Sequence, residues 1–324
     1  MKKIYSYRFF IPLFLLAFLL FPSCSNKKDG AAKGLHIVAA NFVSYDFARA
    51  ICKDKANLKL LIKPGMEIHS FDPSPMDIIS LENADLFIFT GGESDEWAEK
   101  ILSSMKNPPK KLFLLVENAE ILEEELVEGM ETDEKDGEAA TSDENLSDFE
   151  IDEHVWTSPE NACRILKSLE KIISSMDLEN SDFYKENAEN YIEKIHSVQK
   201  KIKSAVLEKE NPFIVMGDRF PLRYFTEEFG ITYRAAFPGC SSAVEASPQT
   251  IAYLIDTVKK QQLPAVFTIE LSNQKIARTI AEATGTKVIE LNACHNLTKQ
   301  QFDQGFTYLD ALEQNLRALE EGLR

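Results

Sequence analysis

The chain has 324 residues and a formal net charge of −16, with five cysteines and five histidines. Without an N-terminal leader roughly 300 residues remain, which is enough for two ordinary domains with full cores. Outside one acidic segment the charges nearly cancel, and a chain with no basic excess is a poor candidate for nucleic-acid binding.

The N-terminus predicts export and a lipid anchor. A basic start precedes residues 9–21, an almost unbroken apolar run that is shorter than the ~20 residues of a membrane-spanning helix. Cys24 follows this run closely, as the modified cysteine of a bacterial lipoprotein does. We therefore predict a signal peptide over 1–23 and a lipidated polar tether over 24–33. An ordinary signal peptide with an incidental cysteine is the alternative.

After the tether, short apolar strands alternate with helices, and residues 34–178 predict a first α/β lobe. Continuously apolar strands separated by helices are typical of a parallel sheet that is covered on both faces. The predicted strands are 36–40, 58–62, 85–90 and 111–116, and the predicted helices are 44–51, 75–82, 96–105 and 159–176.

Most of the negative charge belongs to an insert in this lobe, at about 120–150. From Glu120 to Glu153 there are 16 acidic residues and one lysine, which leaves 36 acidic and 35 basic residues elsewhere. Residues 131–148 have too little apolar content to bury themselves and predict disorder. Two interpretations stay open: a solvated loop, or a loop that weakly collects cations beside a site.

A long helix and a second α/β lobe complete the chain. Residues 179–210 predict a linking helix, because apolar side chains recur there at spacings of four and three. Residues 211–324 predict the second lobe. Its predicted strands are 213–216, 231–237, 265–269 and 287–291, and its predicted helices are 221–229, 248–261, 273–284 and 302–323.

Two histidines lie in segments suited to present a metal ligand. His69 lies two residues after Glu67, and His154 directly follows Glu153. Each histidine precedes a helix start that prolines stiffen, at Pro73 and Pro75 in one case and Pro159 in the other. A neutral imidazole on a rigid loop end is the commonest protein ligand for zinc and related cations.

These segments also carry a resemblance. Residues 64–75, then Glu-His-Val-Trp at 153–156 and Pro-Glu-Asn-Ala at 159–162, resemble the metal-binding lipoproteins of zinc and manganese ABC importers, from about residue 35 to the C-terminus. The resemblance implies two α/β lobes joined by one long helix, with the metal in the cleft between them. It also implies an extracytoplasmic lipoprotein that captures Zn²⁺, or alternatively Mn²⁺, and delivers it to a membrane permease with an ATPase subunit.

The family's site takes one ligand from each of four loops, and the first two match His69 and His154. The third position, a histidine in the family, corresponds to Gly217-Asp218. The fourth, an aspartate, corresponds to Asn292.

We therefore predict that His295 supplies the missing imidazole and that Asp218 supplies a carboxylate. Three imidazoles and one carboxylate suit zinc or manganese. Glu245 and Glu270 are weaker candidates in the same lobe. The other histidines, His36 and His196, are predicted to be structural or solvated.

The cysteines leave alternatives open. Cys240 and Cys294 lie in second-lobe loops that could converge, either as a disulfide, which an exported protein allows, or through thiolate ligation of the metal. Cys52 and Cys163 lie in predicted helices and are expected to be buried small apolar residues.

Two other functions are compatible with parts of the sequence. A zinc-dependent envelope hydrolase could use His69, Asp72 and His154 with an open position for water. The sequence has no His-Glu-x-x-His pair, nucleophile elbow or phosphate-binding glycine loop to support it. A surface adhesin lipoprotein has no sequence motif here either. A metal carrier that is not an enzyme remains the main prediction.

Overall fold

The computed structural model describes Met1 and residues 34–66, 71–130, 151–239 and 245–324. The predicted signal peptide, the tether with Cys24, residues 131–148 of the insert, His69 and Cys240 lie outside these ranges.

The first lobe is built on a parallel sheet, as its short apolar strands predict. Its strands are β1 (Leu35–Ala39), β2 (Ala56–Leu60), β3 (Leu86–Phe89) and β4 (Lys111–Leu114), and its helices are α1 (Phe42–Cys52), α2 (Pro75–Glu82), α3 (Glu96–Ser104) and α4 (Pro159–Met176). The strand order is β2-β1-β3-β4, and every pairing in this sheet is parallel.

The second lobe repeats this plan after the long helix α5 (Ser181–Leu207). Its strands are β5 (Phe213–Phe220), β6 (Thr232–Pro238), β7 (Ala265–Ile269) and β8 (Lys287–Leu291), and its helices are α6 (Arg223–Phe229), α7 (Pro248–Gln261), α8 (Lys275–Thr284), α9 (Lys299–Asp303) and α10 (Tyr308–Gly322). The order is β6-β5-β7-β8, again with parallel pairings. Among the helices described, none combines the length and apolar character needed to cross a membrane.

The long helix α5 joins the two lobes through one shared core. Its predicted stripe is buried from Tyr184 to Ile202 and packs against α1, α4 and α10. A single buried cluster includes Ile88 of the first sheet, Ile195 of α5 and Phe267 of the second sheet. Separate clusters cover the opposite face of each sheet. The predicted two-lobe α/β architecture with one linking helix is therefore confirmed.

A buried carboxylate on α1 reinforces this junction. Asp46 accepts hydrogen bonds from the Tyr191 hydroxyl (2.6 Å) and the Tyr308 backbone N–H (2.9 Å), and it pairs with Arg49. The side chain is buried, so an unpaired carboxylate would be costly there. Asp46 thus ties α1 to both α5 and α10.

Two element predictions were wrong. Strand β5 continues past Met216 to Phe220, because its pairing with β6 resumes after an irregularity between Met216 and Arg219. The predicted closing helix is split into α9 and α10 around Gly305, which has a φ of +76°. Capping boxes at Thr298 and Thr307 start the two helices separately.

The beginning of the acidic insert packs against the second lobe. Glu123 and Ile151 form an antiparallel bridge, and the Leu122 N–H donates to the Tyr224 hydroxyl at 2.9 Å. Glu125 pairs with Arg223 at 3.1 Å. The start of the insert therefore contacts the second lobe, although the insert interrupts the sequence of the first.

Candidate metal site

His154 lies between the insert and α4, in a turn that Asp152 stabilises. Its backbone N–H and its ring Nδ1 are each 2.8 Å from Oδ1 of Asp152, and the side chain is only 1% exposed. Because the carboxylate holds a proton on Nδ1, Nε2 carries the lone pair that can bind a metal.

This pairing also sets the protonation of His154. Burial lowers the pKa of the ring, but the charge and the hydrogen bond of Asp152 outweigh burial, so the pKa lies above its usual value. As the pH falls, protons therefore begin to compete with a metal for Nε2 at a higher pH than they would at an ordinary histidine, whose pKa is ~6.5.

Glu153, the next residue along the chain, anchors the same turn to the loop after β3. Its carboxylate accepts hydrogen bonds from the Ser94 backbone N–H (2.7 Å) and the Ser94 hydroxyl. Burial raises the pKa of Glu153 to about 7. Gly92 has a φ of +97°, and a Cβ there would lie 2.8 Å from the Glu153 side chain, so this close approach requires glycine.

His295 follows β8 in the second lobe, and its ring meets that of His154. The two ring centroids are 4.6 Å apart with their planes at 83°. Trp156 packs edge-on against both rings, at 5.6 Å and 5.9 Å between centroids. The His295 side chain is 13% exposed. Two imidazoles from distant parts of the chain thus lie side by side where the lobes meet.

Glu270, at the end of β7, holds the loop that carries His295. Its carboxylate accepts the backbone N–H groups of Ala293 and His295, both at 2.8 Å. Oε1 also lies 3.9 Å from Nδ1 of His295. Burial raises the pKa of Glu270 to about 7, and the backbone hydrogen bonds, which lower the pKa, offset only part of this effect. The carboxylate therefore positions the His295 backbone.

Further hydrogen bonds fix the start of this loop. The Asn315 side chain on α10 accepts from the Asn292 N–H (2.6 Å) and donates to the Asn292 carbonyl (2.8 Å). The Trp156 indole N–H donates to the Ala293 carbonyl at 2.7 Å. Because these bonds involve backbone atoms of residues 292 and 293, they fix the start of the loop that carries His295.

The end of β6 contacts His154 from a third side. A Cβ at Gly239 would lie 3.1 Å from Cε1 and 3.2 Å from Nδ1 of the imidazole. The site thus draws on the exits of strands in both sheets, where open α/β sheets bind their ligands.

The family follows from comparison with known proteins. A family model described as ZnuA, the periplasmic component A of a zinc-uptake complex, matches residues 37–322. The chain belongs to this family. It is 30% identical over 319 residues to the high-affinity zinc uptake system protein ZnuA of Bacillus subtilis, covering 96% of this chain and 97% of that protein.

Solved structures of similar proteins share the fold. The metal-dependent lipoprotein YcdH from Bacillus subtilis matches with a TM-score of 0.72 and 26% identity, covering 89% of this chain and 99% of that one. The Zn(II)-bound ZnuA-like domain of Streptococcus pneumoniae AdcA matches with a TM-score of 0.71 and 25% identity, covering 90% and 99%. The resemblance predicted from the histidine segments is confirmed.

The structure brings together two of the four predicted ligands, His154 and His295. His69 lies outside the described residues, although Phe71 directly after this gap is buried against Trp97. Within the described ranges, no group of three or more His, Cys, Asp and Glu side chains is arranged to hold a metal ion. The complete ligand set stays a prediction.

Asp218 lies within a strand, whereas the predicted strand 213–216 ends before it. It lies within β5, and its carboxylate accepts hydrogen bonds from the hydroxyls of Thr268 (2.9 Å) and Ser272. It lines a cavity of about 280 Å³ together with Glu270.

The departures from the family pattern have local causes. A Cβ at Gly217 would lie 2.5 Å from Cα of Ala277 on α8, so the packing of this helix excludes a histidine there. The Asn292 side chain accepts the Cys294 N–H at 2.8 Å and so shapes the turn before His295.

The remaining candidates differ in how far they are exposed. Glu245 is exposed and lies 3.4 Å from Lys275. His36 and His196 are also exposed, as predicted. Cys52 and Cys163 are buried thiols, again as predicted. Cys294 is a buried free thiol in this structure; with Cys240 outside the described residues, their disulfide stays an untested prediction.

Two positioning residues were not predicted from the sequence. The role of Asp152 could have been predicted from the sequence, because a carboxylate two residues before a histidine can reach its ring. The role of Asn315 could not have been predicted in this way, because Asn315 lies on α10 and contacts the His295 loop only in the folded second lobe.

Proposed function

We propose that this protein is a lipid-anchored, extracytoplasmic carrier that captures zinc for an ABC importer. The observation that carries the proposal is the contact between the rings of His154, which is buried, and His295, which is partly buried. The two histidines come from different lobes of a chain in the zinc-uptake family. Two imidazoles that pack together, one from each lobe, are suited to binding one cation between them.

The proposed ligands are His69, His154 and His295, with Asp218 as the carboxylate. His69 is supported by the segment before it, because Lys63 and Met66 are hydrogen-bonded to the residue after His295. Asp218 is supported by the cavity that it shares with Glu270. A carboxylate has about four lone-pair sites, so Asp218 could keep its hydroxyl partners while binding a metal.

The donor set favours zinc over manganese. Imidazole suits zinc, whereas carboxylate, carbonyl and water ligands suit manganese. Three imidazoles against one carboxylate therefore select zinc, with Mn²⁺ as the alternative. The metal is the cargo of the protein, so it has to be released as well as bound.

Delivery follows from the placement of the ligands in two lobes. Because His154 and His295 belong to different lobes, separating the lobes would break the site and release the metal. We propose that a membrane permease with its ATPase subunit drives this step. A lipid on Cys24 would keep the carrier at the extracytoplasmic face of the membrane. In this account the protein carries out no reaction on its cargo.

Elemental analysis of the purified protein, followed by competition between zinc and manganese, tests the proposal. We expect one zinc per chain after equilibration with equal concentrations of both metals, because the site is mostly nitrogen. Retention of manganese in preference to zinc would contradict the proposed cargo, and retention of neither metal would contradict the proposed function. A screen for hydrolysis by the zinc-loaded protein tests the enzyme alternative.

A further inference from the structure

A tight turn follows β2 in the first lobe and faces the His295 loop. In Lys63-Pro64-Gly65-Met66 the Met66 N–H donates to the Lys63 carbonyl at 3.1 Å, and Gly65 has a φ of +83°. Proline at the second position and a left-handed glycine at the third are typical of a type II turn. This turn leads the chain towards residues 67–70.

The Asn296 side chain binds this turn from the second lobe. Its Nδ2 donates to the Lys63 carbonyl at 3.1 Å and to the Met66 carbonyl at 2.6 Å. Its Oδ1 accepts the Leu297 N–H at 2.7 Å. Asn296 is 4% exposed and directly follows His295. One buried amide therefore connects backbone carbonyls of the first lobe to the loop that positions His295.

We propose that Asn296 is a positioning residue for metal capture, which holds the two lobes together at the site while zinc is bound. The inference rests on the proposed function. Both carbonyls that it binds belong to the first lobe, and its own loop is fixed to the second lobe by Glu270 and Asn315. Parting the lobes must therefore break both Asn296 bonds, so these bonds slow the release of zinc.

Two substitutions separate this role from a purely structural one. Asn296→Asp keeps the size of the side chain and the acceptor for Leu297, but it replaces the donor with an oxygen that faces two carbonyls. A new negative charge near a cation site would by itself favour binding, so faster release cannot be attributed to charge. Asn296→Ala removes the amide without adding repulsion.

The matched control is Asn211→Asp. The Asn211 amide donates to the Gln261 side chain at 3.2 Å on an exposed part of the second lobe. This substitution makes the same chemical change away from the histidine pair and from both lobe contacts of Asn296.

The experiment is stopped-flow release of zinc from the purified protein into excess chromogenic chelator, alongside thermal unfolding of the metal-free protein. Two hydrogen bonds are lost, and a tenfold change in rate corresponds to about 1.4 kcal/mol, which lies within the range of their combined net contribution. We expect Asn296→Asp to release zinc about tenfold faster than wild type, Asn296→Ala to be faster than wild type, and Asn211→Asp to match wild type.

Wild-type release rates in both Asn296 variants would overturn the inference, including the case in which only the metal-free unfolding temperature falls. The wild-type protein provides the separate test of the proposed function. If wild type retains zinc and the variants release it at the same rate, only the role of Asn296 is wrong. If wild type retains no zinc, the proposed function fails and this inference fails with it.

Discussion

Replacing His154 with alanine should abolish tight zinc binding while the protein stays folded. The substitution removes an imidazole that Asp152 holds in the metal-binding tautomer. Loss of a residue that only orients a ligand typically weakens metal binding 10–100-fold, so loss of the ligand itself should cost more than about 100-fold. Titration calorimetry with zinc, or competition with a chelator of known affinity, measures this change.

The stability of this variant must be followed separately. Removing the ring leaves the buried Asp152 carboxylate with only the backbone N–H of residue 154, which should lower the free energy of unfolding by about 1–3 kcal/mol. His196→Ala is the matched control, because His196 is exposed on α5. Wild-type zinc affinity in His154→Ala would show that this histidine is not a ligand, whatever its effect on stability.

Replacing His295 with alanine should weaken zinc binding to a similar extent, with a smaller effect on the fold. The loop that carries this residue is held through its backbone by Glu270 and Asn315, and these bonds survive loss of the ring. The variant therefore removes a ligand without releasing the loop. Zinc affinity measured beside His154→Ala tests the prediction, and circular dichroism checks the fold.

The exposed His36 on β1 provides the control for this second substitution. If His295→Ala binds zinc as wild type does, His295 does not replace the imidazole that the family pattern lacks. Asp218, Glu245 or Cys294 would then have to complete the site.

Much of the fold could be predicted because its signals are local. Helices α4 and α7 begin at the predicted residues, since Ser158 and Ser247 cap their N-termini and Pro159 and Pro248 occupy the first turn. The strands were recognisable as short apolar runs between helices. The extension of β5 was not, because its last residues become a strand only by pairing with β6.

The site was predictable as a meeting of loops and unpredictable in its detail. Loops at the carboxyl ends of parallel strands converge, which is why His154 and His295 could be expected together. The exclusion of a side chain at Gly217 depends on how α8 packs. The Asn296 hydrogen bonds join residues more than 200 positions apart, so no local sequence pattern predicts them.

X-ray absorption at the zinc edge of the zinc-loaded protein tests the central claim most directly. We predict nitrogen and oxygen neighbours at about 2.0–2.1 Å from the zinc. The outer-shell scattering of imidazole rings should also be present, and it should diminish in His295→Ala. A sulfur neighbour at about 2.3 Å would instead place a cysteine thiolate on the metal. That result, or a spectrum without imidazole scattering, would contradict a zinc site built on His154 and His295.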